Sequence, residues 1–269
     1  MVQREDDIPV GLFSKGKLLK LTSKKYRHRY GYYLLEGSAA VLDAASQIGS
    51  MFRVVISKRN ELRDADRKVL EELKNRGILS IELEPAEYKR LSDLKTPPPI
   101  IAVMNIGEAK EPTLPAEPGL VLALDQVADP GNVGTLIRAA AFYGVKEVWL
   151  GEGSADLYNP KVLRAAMSSH LHLKICQPVD LGKTFEAAKK QGAKLYAAVV
   201  EGETAQVMKE LREPTILLLG NEPHGIRDEY IQMADHRVTI QRIGQVDSLN
   251  VAMAGTVLLD RYLSQSMGA

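Results

Sequence analysis

Residues 120–142 read LVLALDQVADPGNVGTLIRAAAF and contain a strand, a turn and a helix in succession. Leu120–Leu124 is an uninterrupted apolar run, as expected of a strand that is covered on both faces. Residues 129–132 (DPGN) have the composition of a tight turn, and the apolar residues after it recur at helical spacing. Arg138 falls outside that apolar face, so we expect its side chain to point away from its own core. This order of elements predicts an α/β fold.

Two further polar segments follow apolar ones. Residues 220–225 (GNEPHG) leave the apolar run 215–219, and their glycines would let the backbone approach a ligand closely. Residues 248–250 (SLN) precede an apolar helix predicted over 249–263. The simplest interpretation of Ser248 is the N-cap of that helix. The helix is apolar on more than one side, which indicates burial against a second surface such as a partner subunit.

Strand-like and helix-like segments alternate along the chain. The first hundred residues form a small α/β unit, with helices predicted at 37–48 and 61–76 and strands at 32–36, 52–57, 78–82 and 100–105. From residue 120 a parallel sheet is expected, with strands at 120–124, 147–150, 171–175, 194–200, 215–219 and 237–240. Three prolines between 108 and 119 indicate a semi-rigid linker. We therefore predict domains at 1–106 and 119–269, joined by a linker at 107–118.

The composition of the 269 residues, with 45% hydrophobic and 26% charged, is that of an ordinary globular protein. The single Cys176 cannot form an internal disulfide and fits a reducing compartment. No apolar run approaches the roughly 20 residues of a membrane span, and acids occupy the place of the basic start of a signal peptide. We therefore expect a cytoplasmic protein that does not enter a membrane.

The net charge is only +1, but the basic residues are unevenly distributed. Seven of them and no acid lie between residues 15 and 30, and four tyrosines lie at 26, 30, 32 and 33. Cations attract a phosphate backbone, and aromatic rings can stack on unpaired bases. The run therefore predicts RNA binding through Lys24, Lys25, Arg27 and Arg29. The alternative, a solvated helix face, is left open by the sequence.

Taken together, the segments DPGNVG (129–134) with Arg138, GNEPHG (220–225) and SLN (248–250) resemble the three motifs of the SpoU (TrmH-like) family of RNA ribose 2′-O-methyltransferases in the SPOUT superfamily. The family takes methyl groups from S-adenosylmethionine. Five residues match its functional motif positions and are the catalytic residues that the resemblance implies: Asn132, Arg138, Glu222, Ser248 and Asn250. Residues 1–106, with YYLLEG at 32–37, resemble the family's substrate-binding domain, a fold similar to some ribosomal RNA-binding proteins.

The resemblance also implies a deep trefoil knot near the C-terminus and a homodimer. Knots are so rare that pattern alone would predict against one. The methyl donor is expected in a pocket formed by the second and third motif loops, without a metal. The donor contacts carried over position by position are Gly220, Asn221, Gly225, Ile240 and Leu249.

The implied reaction requires the ribose hydroxyl to lose its proton. Family proposals assign this task to the arginine at position 138, although a guanidinium is almost never deprotonated in proteins. Arg138 could instead bind the neighbouring phosphate and stabilise the developing alkoxide, with Glu222 or a water taking the proton. The sequence indicates that Arg138 is essential and leaves its role open.

Ribosomal RNA is the first expected substrate, because an extra domain with tyrosines and a basic run suits structured RNA with an exposed loop. Transfer RNA is the second. The alternative from another class is a non-catalytic RNA-binding protein, which would not need all five motif residues. A dinucleotide-binding site is disfavoured because GEG at 151–153 lacks the third glycine at Asp156. His170 and His172 are expected to alternate on a strand face, with no carboxylate nearby for a metal site.

Overall fold

The computed structural model describes residues 15–47, 51–58, 62–115, 119–204, 213–245 and 248–266. Its residue contacts divide the chain into two compact units. Unit 1 comprises Met1–Glu108 and Tyr158–Arg164, and unit 2 comprises Ala109–Leu157 and Ala165–Ala269. Helices and strands alternate in both units, so the predicted α/β class is confirmed.

Unit 1 is a small sheet covered by short helices. Its elements are α1 Lys15–Lys20, α2 Lys24–Tyr30, β1 Tyr32–Glu36, α3 Ser38–Gln47, β2 Phe52–Lys58, α4 Asp64–Asn75, β3 Ser80–Leu83, α5 Pro85–Tyr88 and β4 Ile100–Asn105. The sheet order is β1-β4-β2-β3, in which β2 and β3 are parallel and the other pairs are antiparallel. Leu18 and Leu21 pack with Leu34, Ile56 and Ile101 in its core. Burial of these side chains anchors α1 and its following turn to the sheet.

Unit 2 is built on a six-stranded sheet in which every pairing is parallel. Its elements are β5 Leu120–Leu124, α6 Pro130–Phe142, β6 Glu147–Gly151, β7 Lys174–Val179, α8 Leu181–Lys190, β8 Lys194–Thr204, β9 Thr215–Leu219, α9 Asp228–Met233, β10 His236–Thr239 and α10 Val251–Ser266. Helix α7, Pro160–Ala166, has its first five residues in unit 1 and its last two in unit 2. The strand order is β10-β8-β9-β5-β6-β7, and every residue of β5, β6 and β9 is buried. The predicted parallel sheet is thus confirmed.

The strand order places the motif segments at one edge of this sheet. After β5 the chain continues to β6 on one side, whereas β9 lies on the other side of β5. Open parallel sheets bind ligands at such a reversal, beyond the carboxyl ends of the strands. The first motif follows β5, and the second follows β9 directly, so both belong to this edge.

Helices α6 and α10 pack side by side and bring the first and third motifs together. A Cβ at Gly255 would collide with the side chains of Leu136 and Leu219, so glycine permits this close packing. At the far ends of the helices, the Tyr143 hydroxyl donates to Asp260 over 3.2 Å. None of the described helices, α10 included, combines the length and apolar character needed to cross a membrane.

The strand predicted at 171–175 is wrong in position. Ser168 adopts a left-handed conformation (φ 64°) and starts a 3₁₀ turn at Ser169–Leu171, and β7 begins only at Lys174. His170 and His172 therefore do not alternate along a strand. Leu171, Leu173 and Ile175 alternate with polar residues as in a strand, and such a local pattern does not reveal a turn that starts at a non-glycine residue.

Glu147 ties residues of the predicted linker to the sheet of unit 2. Its buried carboxylate accepts hydrogen bonds from the Thr113 amide (2.7 Å), the Thr113 hydroxyl (2.8 Å) and the Trp149 indole (2.7 Å). Leu114 packs against the core of the same unit. Residues 109–115 thus pack as part of unit 2. The buried Glu147 carboxylate needs hydrogen-bond donors, and Thr113 in this segment supplies two of them.

We expect Glu147→Gln to lower the free energy of unfolding by about 1–3 kcal/mol. The NH₂ group of glutamine would face hydrogen-bond donors of Thr113 or Trp149, which would then lose their acceptor. Urea denaturation followed by Trp149 fluorescence measures this change. Glu186→Gln on the exposed face of α8 is the matched control and should leave stability unchanged. Equal stabilities of the two variants would contradict this account of the linker segment.

Candidate active site

One carboxylate oxygen joins the three motif segments. Glu222 Oε1 accepts hydrogen bonds from Asn132 Nδ2 (2.8 Å), from Asn250 Nδ2 and from the Val251 amide (3.3 Å). Asn250 Nδ2 also donates to Asn132 Oδ1 over 3.0 Å. Three of the five predicted catalytic residues thus form one network, although 90 and 28 residues separate Glu222 from its two asparagine partners.

The turn at the start of α6 positions Asn132. Asp129 is the N-cap of this helix, and its carboxylate accepts from the Asn132 amide over 2.9 Å. Proline at the first helical position costs no hydrogen bond, because that amide would have no partner in the helix. The Asn132 side chain is therefore held in the first turn of α6, facing the second motif.

Asn250, and not Ser248, caps α10. The Asn250 side-chain oxygen accepts from the Ala252 amide (2.9 Å) and the Met253 amide (3.3 Å). The interpretation of Ser248 as the N-cap is wrong, because the helix begins at Val251. Asn250 has an oxygen for the cap and two N–H protons for its two acceptors in the network, whereas a serine hydroxyl has only one proton to donate. Among the described residues Ser248 is exposed and is not hydrogen-bonded to the network, but it lines the groove described below.

The second motif folds back on itself within six residues. Asn221 and Gly225 exchange backbone hydrogen bonds of 3.0 and 2.8 Å, and Gly225 has a φ of 70°. A Cβ at Gly220 would overlap the peptide between Gly225 and Ile226. The two glycines are thus required by this loop itself, since only glycine has the space at the first position and favours the backbone of the second.

Below this loop, a buried ion pair connects β5 to the segment before α9. Asp125 is fully buried, and its carboxylate binds the Arg227 guanidinium at 2.9 and 2.8 Å and the Arg227 amide at 2.9 Å. Burial opposes the charge of Arg227, but the hydrogen bonds that it donates to Asp125 still raise its pKa. This pair was not predicted from the sequence; an acid at the end of an apolar strand was the signal available for Asp125.

A groove of about 1120 Å³ lies beside the network. Its lining includes all five predicted donor contacts, at Gly220, Asn221, Gly225, Ile240 and Leu249. The sequence analysis missed other lining residues, among them Val199 of β8 and the fully exposed Ile243. Both are apolar, and no motif pattern distinguishes such residues from ordinary core or surface positions.

The groove fits the chemistry of S-adenosylmethionine, an adenine nucleoside that carries a sulfonium cation. Its walls combine apolar side chains with backbone groups, as most small-molecule sites do. Glu201, Glu222 and Asp228 line it and provide negative charge for a cation. Asn221 adds an oriented amide: its nitrogen donates to the Gln126 carbonyl over 2.8 Å, and its buried Oδ1 has no hydrogen-bond partner among the described residues.

Arg138 is exposed on α6 and does not join the network. Its Nη1 lies 2.9 Å from the sulfur of Met167, an exposed side chain that the sequence analysis missed. Met167 and Ser168 both have positive φ values, 46° and 64°. Two such residues in succession are uncommon outside glycine and are frequent where function constrains the backbone. A thioether is a weak, neutral acceptor, so it orients Arg138 without neutralising its charge.

The basic run divides into exposed and buried residues. Lys24, Lys25 and Arg29 are exposed on α2, as expected of a surface that contacts RNA. Arg27 is buried, and its Nη1 donates to the carbonyls of Thr22 (3.0 Å) and Leu21 (3.3 Å). The prediction that Arg27 belongs to the exposed basic surface is therefore corrected. Helical spacing turns this residue inward. The carbonyl groups at the end of α1 have no partner within the helix, and they accept hydrogen bonds from the guanidinium.

Metal ligation finds no support in the part of the chain that the structure describes. Within those ranges, no three His, Cys, Asp or Glu side chains are close enough to share an ion.

Cys176 is buried beside Glu147. Burial is the larger cause and the negative charge of Glu147 the smaller one of a raised thiol pKa, which is about 12.

Comparison with known proteins gives a coherent result. Residues 119–260 match the SpoU rRNA Methylase family, and residues 17–102 match the MRM3-like substrate binding domain. The 23S rRNA (guanosine(2553)-2′-O)-methyltransferase RlmP of Bacillus subtilis is 30% identical over 240 residues, which cover 89% of this chain and 92% of the relative.

Solved structures agree with this result. A TrmH-family RNA methyltransferase structure from Porphyromonas gingivalis has 32% identity and a TM-score of 0.81, covering 93% of this chain and 97% of that chain. AviRb of Streptomyces viridochromogenes, solved with AdoMet, has a TM-score of 0.83 over 95% of this chain and 98% of its own. At 24% identity, AviRb shows likeness of fold.

The fold and the motif network define an α/β enzyme of the RNA methyltransferase class. More particularly, the chain belongs to the SpoU rRNA methylase family, whose model matches more than half of it. The resemblance drawn from the three sequence segments is thereby confirmed.

We expect Glu222→Ala to lower the free energy of unfolding by about 1–2 kcal/mol, because three donors lose their common acceptor. Glu222→Gln keeps an oxygen at that position and should lose less stability than Glu222→Ala, because the same donors keep an acceptor, although a neutral one. Thermal unfolding followed by circular dichroism measures both variants. Unchanged stability of Glu222→Ala would mean that the network contributes nothing to holding the three loops together.

Proposed function

We propose that this protein transfers a methyl group from S-adenosylmethionine to a ribose 2′-hydroxyl of ribosomal RNA. The observation that carries the proposal is the network of Asn132, Glu222 and Asn250, which unites the three family motifs beside the groove. In this proposal residues 1–106 bind the RNA, 107–118 connect the domains and 119–269 hold the donor. Residues 109–115 pack with the latter.

Ribosomal RNA is favoured over transfer RNA by the extent of the likeness. The alignment with RlmP, which is named as a 23S rRNA methyltransferase, extends over 89% of the chain and so covers more than the methylase region. The match to a substrate-binding domain at residues 17–102 supports the same assignment. Transfer RNA is the second candidate substrate, to be tested in the same experiment.

The donor is proposed to lie in the groove between the second and third motif loops. When bound, S-adenosylmethionine supplies an electrophilic methyl group on a positively charged sulfur. Backbone groups at Gly220, Gly225, Ile240 and Leu249, with the Asn221 amide, are the proposed contacts. The loop around Gly220 has no room for a side chain, so a ligand would meet its backbone groups directly.

Glu222 is proposed to position the motif loops and not to take the proton. Its Oε1 accepts three hydrogen bonds that hold the motif loops together, and turning the carboxylate toward a substrate proton would disturb them. Asn132 and Asn250 are held by the same bonds and are the neutral groups proposed to orient the ribose. Ser248 lines the groove and is proposed to contribute a hydroxyl to the same task. The proton then leaves through water.

Arg138 is proposed to stabilise the negative charge that develops on the ribose oxygen. A guanidinium keeps its proton in proteins, so electrostatic stabilisation suits it better than proton abstraction. Within the described ranges no carboxylate lies at ion-pair distance from it, and the Met167 sulfur leaves its charge intact. Its remaining N–H groups are available for the alkoxide and the neighbouring phosphate.

Arg138→Ala should reduce methyl transfer by at least about 100-fold, because a preorganised donor to the developing charge is lost. Affinity for S-adenosylmethionine, measured by calorimetry, should change less than about twofold. Lys190→Ala at the exposed end of α8 is the control. Transfer within a few-fold of the parent protein would remove Arg138 from this role.

Labelled methyl groups should be followed into total RNA from cells that lack this protein. Alkali-stable label in ribosomal RNA, dependent on Arg138, is the expected result, since a 2′-O-methyl group blocks cleavage of the adjoining phosphodiester. Label in transfer RNA alone would replace the substrate assignment. Absence of donor binding would favour a non-catalytic RNA-binding protein.

A trefoil knot, a homodimer and a cytoplasmic location complete the proposal. Asn250 brings the chain after β10 back to the first two motif loops, as a knot would require. Support for a dimer comes from large apolar side chains left exposed on paired helices: Phe142 of α6 is 82% exposed and Met253 of α10 is 61% exposed. Leu258, although on α10, is buried and faces the core of its own unit. Such exposed apolar groups are typical of contact surfaces.

Phe142→Glu should convert the protein to a monomer, because a charge would be buried in the proposed interface. Sedimentation velocity measures the change. Leu94→Glu, at an exposed apolar position of unit 1, should leave the oligomeric state unaltered. A parent protein that sediments as a monomer would contradict the proposed dimer directly.

A further inference from the structure

Helices α1 and α2 present a compact cationic surface around one tyrosine, formed by Lys20, Lys24, Lys25, Tyr26 and Arg29. The three α2 cations are exposed and Tyr26 is partly exposed. No acid occurs from residue 15 to residue 35. Helix α1 packs against the 3₁₀ turn Lys89–Leu91, whose Lys89 and Arg90 are also exposed. The surface is therefore complementary to a polyanion.

The aromatic ring at the centre of this surface is held in place from two sides. Tyr26 stacks on Tyr30 with ring centroids 5.7 Å apart and 29° between the planes. Tyr30 in turn packs against the core of unit 1. The ammonium groups of Lys20 and Lys25 lie over the Tyr26 ring, 5.2 and 5.9 Å from its centroid. The ring is thus ordered before any ligand arrives, and a stacked base would displace the two exposed lysine side chains toward its own phosphates.

Arg27 fixes the corner at which the two helices meet. From α2 it donates to the Leu21 and Thr22 carbonyls, at the end of α1. This brings Lys20 of α1 to the ring of Tyr26 in α2. Arg27 is accordingly a positioning residue for the surface and not one of its contacts.

We propose that this surface is a stacking site for an unpaired nucleobase, with Tyr26 as the platform and Lys20, Lys24, Lys25 and Arg29 binding the flanking phosphates. The inference rests on the proposed function and specifies the form of RNA that unit 1 takes. A base that stacks on Tyr26 must be free of its own helix, because duplex bases have no open face. An ordered ring with cations beside it is the combination found in single-strand binding sites.

Phosphate contacts and base stacking respond differently to salt, and this difference provides the test. Each neutralised phosphate of a single strand contributes about 0.7 to the slope of log affinity against log salt, whereas stacking does not change the slope. The full-length protein should be titrated by fluorescence anisotropy, without donor, with a 12-nucleotide oligouridine and with a 12-base-pair RNA duplex over a salt series.

Tyr26→Leu should weaken oligouridine binding about tenfold without changing its salt slope, since leucine keeps apolar contact but offers no ring. Tyr26→Phe should bind like the parent protein. The pair Lys24→Gln and Lys25→Gln should lower the slope by about 1.4. Duplex binding should be unaffected by Tyr26→Leu. Thermal unfolding and donor affinity, both unchanged, establish that each variant is folded.

Oligouridine affinity of Tyr26→Leu equal to that of the parent would overturn the stacking site, and so would equal losses for oligouridine and duplex. Binding of a polyglutamate peptide as tightly as oligouridine, insensitive to Tyr26, would instead identify an acidic protein partner and also overturn it. Failure of the methyltransferase proposal is separate, because it would appear as absent methyl transfer by the parent protein whatever its RNA affinity.

Discussion

The Glu222 carboxylate is the point on which the site depends. Asn132 in the first turn of α6 and Asn250 at the start of α10 reach the same oxygen, and the Val251 amide joins them. The donors belong to two segments, one after β5 and one at the start of α10, and the acceptor belongs to a third after β9, so this oxygen fixes three loops relative to one another. Charge-assisted hydrogen bonds are stronger than neutral ones, which makes a carboxylate suited to this position.

Two features of unit 2 support that arrangement from below. The buried Asp125 at the end of β5 binds Arg227 through side chain and backbone, and so holds the segment after the second motif loop. Gly255 lets α10 lie directly on α6 and β9. These contacts are far apart in sequence but share one edge of the sheet, where parallel strands end and ligands bind. Asp125, Leu136 and Leu219 are all buried, so water does not compete for these contacts.

Individual residues show how far pattern could predict the structure. The apolar runs of β5 and β9 predicted their strands with the bounds observed, because continuous burial requires continuous apolar sequence. Patterns misplaced the strand at 171–175, where Ser168 starts a turn that has no glycine to mark it. They placed Arg27 on the surface, although its side chain is buried and donates hydrogen bonds to carbonyls at the end of α1. They assigned the α10 cap to Ser248, since serine and asparagine are equally good caps in isolation.

The sequence by itself determined the α/β class, the family and the polar residues that its three motifs contribute, because these depend on local spacing and residue type. Only the tertiary structure decided that Asn132 and Asn250 share the Glu222 oxygen. It also decided that Arg138 lies outside this network, in contact with the Met167 sulfur. The ordering of the Tyr26 ring by Tyr30 is a third result of the fold. The physical reason is that hydrogen bonds and ring contacts act over a few ångströms between residues that the chain separates widely. Which residues become neighbours is set by how the sheet and helices pack.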